Sequence, residues 1–77
     1  MKPSFAFEVT PDDIWVIGVE RGLQLTDTEC DRLHDLLDTD EVARQALKGG
    51  TDMDDQTEAA YEEITRQLIE AKEWTAI

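Results

Sequence analysis

Ile14-Trp15-Val16-Ile17-Gly18-Val19 is the stretch on which the fold of this 77-residue chain turns. By propensity, a β-branched and aromatic run with one glycine suits the first strand of a hairpin closing with Leu23 to Leu25. The residues before it argue for a helix. Thr10-Pro11-Asp12-Asp13 supplies a capping hydroxyl, a proline suited to the first helical position and two carboxylates facing the positive end of the dipole. We therefore read a first helix that runs to about Arg21 and is closed by Gly22. Six consecutive apolar or glycine residues leave it no polar face, so it is either buried on both sides or covered on one side by a partner. Burial on both sides would set Trp15 against Phe5, Phe7 and the fourth helix. The alternative makes Trp15, Val16 and Val19 a homodimer contact or a hot spot on a target, tryptophan being over-represented among residues that dominate interfaces.

Outward from this stretch, Phe5, Phe7 and Val9 alternate with Ala6 and Glu8, the pattern of a short extended segment over residues 4 to 9. Downstream, Thr26 with Glu29 forms a capping-box pattern ahead of the stripe Cys30, Leu33 and Leu37, with Leu36 beside it. A third helix opens at Thr39 or Asp40, carries Val42, Ala43, Ala46 and Leu47, and stops at Gly49-Gly50. The fourth begins near Asp52 and carries Met53 or Thr57, then Ala60, Tyr61, Ile64, Leu68 and Ala71 over about five turns. The ending Trp74-Thr75-Ala76-Ile77 either folds back or frays. The expected fold is a single all-α domain, 1–77, of three or four helices with a short extended N-terminal segment.

Charge is the dominant compositional feature. Nineteen acids against seven bases give a formal charge of −12. Residues 1–26 carry four acids and two bases, net −2; residues 27–63 carry thirteen and three, net −10; residues 64–77 carry two of each. Asp27, Asp31 and Asp35 follow one another at four-residue spacing on the second helix, and Glu58 and Glu62 repeat that spacing on the fourth. Glu63 lies alongside, with Asp52, Asp54 and Asp55 at the start. Like charges so spaced destabilise a helix by about 0.2–0.5 kcal/mol per pair, so helix stability does not favour these rows. Carboxylates held on a rigid frame attract cationic partners and imitate a row of nucleic-acid phosphates. Solubility and helix capping are the plain alternative.

Other chemistries find little support. A chain this short has little room for a substrate pocket as well as a core. Asp52, Asp54, Gln56 and Glu63 match positions 1, 3, 5 and 12 of a calcium loop, but Thr57 stands where glycine is required. Cys30 and His34, one turn apart, form a candidate thiolate–imidazole pair without an orienting group or an oxyanion site. The lone cysteine excludes an internal disulfide, and no structural zinc set exists. We expect no cofactor, no metal and no enzymatic activity. Neither a basic, aromatic-interleaved stripe for direct nucleic-acid binding nor an apolar run of roughly 18 residues for a membrane is present. No signal peptide is evident, and a cytoplasmic location is expected.

The block Gly50-Thr51-Asp52-Met53-Asp54-Asp55-Gln56-Thr57, followed by Ala60-Tyr61-Glu62-Glu63-Ile64 and Gln67-Leu68, together with the opening Phe7-Glu8-Val9-Thr10-Pro11-Asp12-Asp13, resembles small open reading frames of bacteriophages, prophages and conjugative plasmids. In being short, acidic and helical, the chain is similar to phage anti-CRISPR and antirestriction proteins. That resemblance implies an inhibitor that occupies a basic, nucleic-acid-binding surface of a host defence protein; it assigns no individual residue. On the acidity, the expected contacts are Asp27, Asp31, Asp35, Asp54, Asp55, Glu58 and Glu62. The competing expectation is a small homodimeric structural or accessory protein joined through the helix around Trp15.

Overall fold

The computed structural model describes residues 9–75, which form four helices and no strand: α1 (Pro11–Glu20), α2 (Asp27–Asp35), α3 (Thr39–Lys48) and α4 (Met53–Glu70). Of the expected extended N-terminal segment, residues 4–8 lie outside the described region. Val9 is half-buried against the core, and its carbonyl accepts a hydrogen bond from His34 Nε2 at 3.1 Å.

The deciding stretch is helical. The Asp13 carboxylate accepts from the Thr10 backbone N–H at 2.9 Å and secures the start of α1. The helix closes at Gly22, whose φ of 80° is the left-handed conformation glycine adopts freely. There Gly22 N–H donates to Val19 O at 3.0 Å and Leu23 N–H to Gly18 O at 2.8 Å, the paired bonds of a Schellman cap. Gly18 within the helix has a packing role, because a Cβ there would come within 2.6 Å of Leu25 Cδ1.

Only one side of α1 is buried. Ile14, Ile17 and Gly18 turn inward, whereas Trp15, Val16 and Val19 are exposed, so α4 does not cover the outer face; Phe5 and Phe7, the other residues expected against Trp15, lie outside the described residues. At 3.6 residues per turn, positions 15, 16 and 19 fall opposite 14, 17 and 18, and α2 and α4 both pack on the inner arc.

Thr26 Oγ1 accepts from Glu29 N–H at 3.1 Å, while Asp38 and Asp52 cap α3 and α4 through their own carboxylates. Consecutive helices pair, α1 with α2 and α3 with α4, and α1 joins the pairs by packing on α4. The core consists of Ile14, Ile17, Cys30, Leu33, Val42, Ala46, Ala60, Ile64, Leu68 and Trp74. Leu36, Leu47 and Met53, which the apolar stripes had included, are exposed.

The end of the chain folds back. Lys72 takes a φ of 66°, Lys72 N–H donates to Ile69 O at 2.9 Å, and Glu73 N–H donates to Leu68 O at 2.9 Å. This is a second Schellman cap, with lysine where glycine is usual. It brings Trp74 onto the core at 8% exposure. Arg21 holds the fold-back, with its guanidinium 5.1 Å from the Trp74 ring centroid and Nη2 donating to Thr75 O at 2.6 Å. The Arg32–Glu73 ion pair at 3.0 Å ties the same turn to α2.

Candidate protein-interaction surface

All seven sequence-derived acidic candidates are exposed. Five of them are gathered into two rows on opposite sides of α1. On the α2 side, Asp27 and Asp31 share a cleft of about 560 Å³ with Asp12 and Trp15, and the buried Cys30 contributes to its wall. On the α4 side, a second cleft of about 560 Å³ is lined by Asp54, Glu58 and Glu62 together with Glu20 from α1. Its wall includes Ile17, Tyr61 and Arg21. Asp35 and Asp55 line neither cleft; Asp55 instead lies against Gly50, where a Cβ would meet its Oδ2 at 3.3 Å.

The rows do not merge into one continuous acidic face, because α1 stands between them. Its outer arc presents Trp15 at 49%, Val16 at 36% and Val19 at 51% exposure. Asp12 and Glu20 complete the rows from α1 itself. Each is four residues from Val16, and the drift of about 40° per four residues turns Asp12 toward the α2 side and Glu20 toward the α4 side.

Arg21 lines the α4-side cleft, but its guanidinium lies over the Trp74 ring and donates to Thr75 O, and it forms no ion pair with the described carboxylates there. Among the described residues, the ion pairs are Arg32 with Glu73, Arg44 with Glu41, and Arg66 with Glu63 and Glu70. None involves a carboxylate of the two clefts. Such unpaired carboxylates several ångströms apart set up an attractive field for cations, extending about 8–10 Å at ordinary ionic strength.

Glu63 does not belong to this surface. It is 6% exposed and accepts from Arg66 Nε at 2.8 Å, Arg66 Nη2 at 2.6 Å and Gln67 Nε2 at 2.9 Å. The Arg66 guanidinium, by hydrogen bonding, holds this carboxyl below the usual range against the opposing effect of burial. Gln67 passes the network on, since its Oε1 accepts from Asp38 N–H at 2.7 Å and anchors the α2–α3 turn.

The calcium-loop spacing falls on helical backbone from Met53 onward, with Glu63 turned into the core, so no loop is formed. No cluster of His, Cys, Asp or Glu among the described residues suits a metal ion. Cys30 is buried, and its thiol is pushed up by burial first and then by Asp27, Asp31, Glu29 and Asp12. His34 is engaged with Val9 through Nε2. Since the thiolate is the nucleophilic form, this environment works against the candidate catalytic pair. No described helix is long and apolar enough to cross a membrane.

No protein-family model, curated protein or solved structure matches the chain.

Proposed function

We propose that this chain is a non-enzymatic acidic binding protein of a phage or mobile element. In this reading it inhibits a host CRISPR or restriction complex by occupying a basic surface that otherwise binds nucleic acid. The observation that carries the binding role is the pair of carboxylate rows that lie outside the described ion pairs, Asp12, Asp27 and Asp31 in the α2-side cleft and Glu20, Asp54, Glu58 and Glu62, with Arg21 among them, in the α4-side cleft. Helices fix the backbone positions from which these carboxylates project, so a cationic surface meets an array of set spacing. The assignment to host defence rests on the sequence resemblance.

Retention of nucleic-acid-binding defence subunits on the immobilised protein tests this reading. Binding at low salt that is lost at high salt and blocked by added DNA supports it. Retention that ignores both salt and DNA contradicts it.

The second reading, a homodimeric accessory protein assembled through Trp15, Val16 and Val19, is favoured by the exposure of that apolar arc. A dimer in sedimentation that Trp15→Asp abolishes would support it, and a monomer at high concentration would remove it.

A further inference from the structure

The outer arc of α1 exposes Trp15, Val16 and Val19 as a ridge between two troughs, one lined by Asp12, Asp27 and Asp31 and the other by four carboxylates and one cation, Arg21. Trp15 lines the trough that holds Asp27 and Asp31, while Glu20, one turn beyond Val16, lines the trough that holds Glu58 and Glu62. We propose that this ridge is the seat of a cationic amphipathic helix from a partner protein, its apolar stripe on Trp15, Val16 and Val19 and its flanking Lys or Arg side chains reaching the two rows. The inference rests on the acidic-binding reading above and deepens it by naming the contact and the form of the partner.

Charge selects the occupant. A second copy docked by this face would set acidic rows against acidic rows at high local density, and like-charge juxtaposition across an interface costs several kcal/mol. Nucleic acid and anionic lipid surfaces are repelled by the same field. A strand has no template here, because the described residues form no sheet edge to extend. A helix with one apolar stripe between two lines of cations fits ridge and troughs together. Long Lys and Arg stems cover apolar surface while their charged heads reach the carboxylates. Trp15 supplies the large, rigid anchor typical of a helix-docking hot spot.

The test uses the full chain and two synthetic Leu/Lys peptides of identical composition. One is ordered so that leucines recur at helical spacing between lysines; the other is scrambled to remove that stripe. Binding is followed by calorimetry and by amide and indole NMR shifts. The inference predicts that the striped peptide binds at least tenfold tighter than the scrambled one and shifts the Trp15 indole and the amides of Val16 and Val19. Trp15→Ala, at an exposed position, should remove that preference while leaving the salt dependence of binding intact; circular dichroism checks that the variant is folded. A conservative Val19→Ala, which trims the ridge without touching the tryptophan, should reduce the preference in part. Equal binding of both peptides with shifts confined to the carboxylate rows overturns the inference and leaves the acidic-binding reading standing. Failure of both peptides to bind at low salt overturns that reading as well. A Trp15-dependent dimer in sedimentation would show that the seat belongs to a second copy, and would overturn the inference too.

Discussion

Tyr61 donates its phenolic hydrogen to Asp13 Oδ1 at 3.0 Å, while Oδ2 of the same carboxylate accepts from the Thr10 backbone N–H at 2.9 Å. One side chain thereby secures the start of α1 and fixes that helix to α4 in the wall of the second acidic cleft. Burial first, and then the Asp13 contact, push the Tyr61 hydroxyl up to about 12. The folded protein therefore holds this proton more tightly than the unfolded chain, whose tyrosine ionises near pH 10. Stability from this pair is complete below about pH 10 and is lost as pH rises toward about 12. Tyr61→Phe should cost about 1 kcal/mol at neutral pH and flatten the alkaline limb of the stability profile; denaturant unfolding across pH reads both effects.

The buried Glu63 gives the opposite limb. Its carboxyl is held below the ordinary glutamate range, so its contribution is present above the unfolded value and is lost as pH falls through the folded one. Glu63→Gln should reduce stability at neutral pH by about 1–2 kcal/mol, a modest figure because Arg66 is more than half exposed and water screens its side of the pair. It should also weaken the acid dependence. Arg66→Ala, which leaves the buried carboxylate without its cation, should be worse than Glu63→Gln at pH 7 and should recover part of the loss at low pH.

Two backbone positions should respond in opposite directions. At Gly49, a Cβ would stand 2.5 Å from Ala59 Cβ and 2.9 Å from Asp55 O, so Gly49→Ala drives the end of α3 away from α4. A loss of about 1–3 kcal/mol is expected, as for other overpacked contacts. Lys72 holds φ of 66° in the C-terminal cap, where glycine carries no Cβ penalty. Lys72→Gly should raise stability by about 0.5–1 kcal/mol in thermal unfolding.

Cys30 should react slowly with an alkylating reagent near neutral pH in the folded protein and rapidly once the chain is unfolded in denaturant. Burial and the neighbouring carboxylates both disfavour its thiolate. Fast alkylation of the native state would contradict this environment.

The local signals in the sequence translated directly into structure. Thr26 with Glu29, Gly22 after α1 and Gly49 after α3 mark helix ends because a cap depends on its immediate neighbours. The exposed side of α1 was less legible, since an apolar run carries no asymmetry by which to orient a helix. Neighbours far along the chain decided that Ile14 and Ile17 would be covered and Trp15 left open. Whether Trp74 folds back or frays was open from the sequence, because Lys72 occupies the left-handed position that glycine would have announced. Glu63 was set alongside the acidic row of α4, although its spacing of three from Arg66 was visible; its burial is a tertiary fact. Of the candidate contacts, Asp27, Asp31, Asp54, Glu58 and Glu62 line the clefts beside α1; four-residue spacing put them on common helix faces, and the packing of α1 on α2 and α4 decided which of them border it. Asp35 and Asp55 do not line those clefts.

If the two carboxylate rows engage a basic nucleic-acid-binding surface, removing their charge must remove the partner. The most direct measurement compares the wild-type chain with a variant carrying Asp27→Asn, Asp31→Asn, Glu58→Gln and Glu62→Gln. Both are immobilised in lysate from a bacterium with CRISPR and restriction systems, and the retained proteins are identified by mass spectrometry at low and high salt. The wild type should retain a nucleic-acid-binding defence subunit at low salt and release it at high salt or on addition of DNA, and the folded variant should fail to retain it. Equal retention by the variant, or no nucleic-acid-binding protein on the wild type at low salt, would contradict the account.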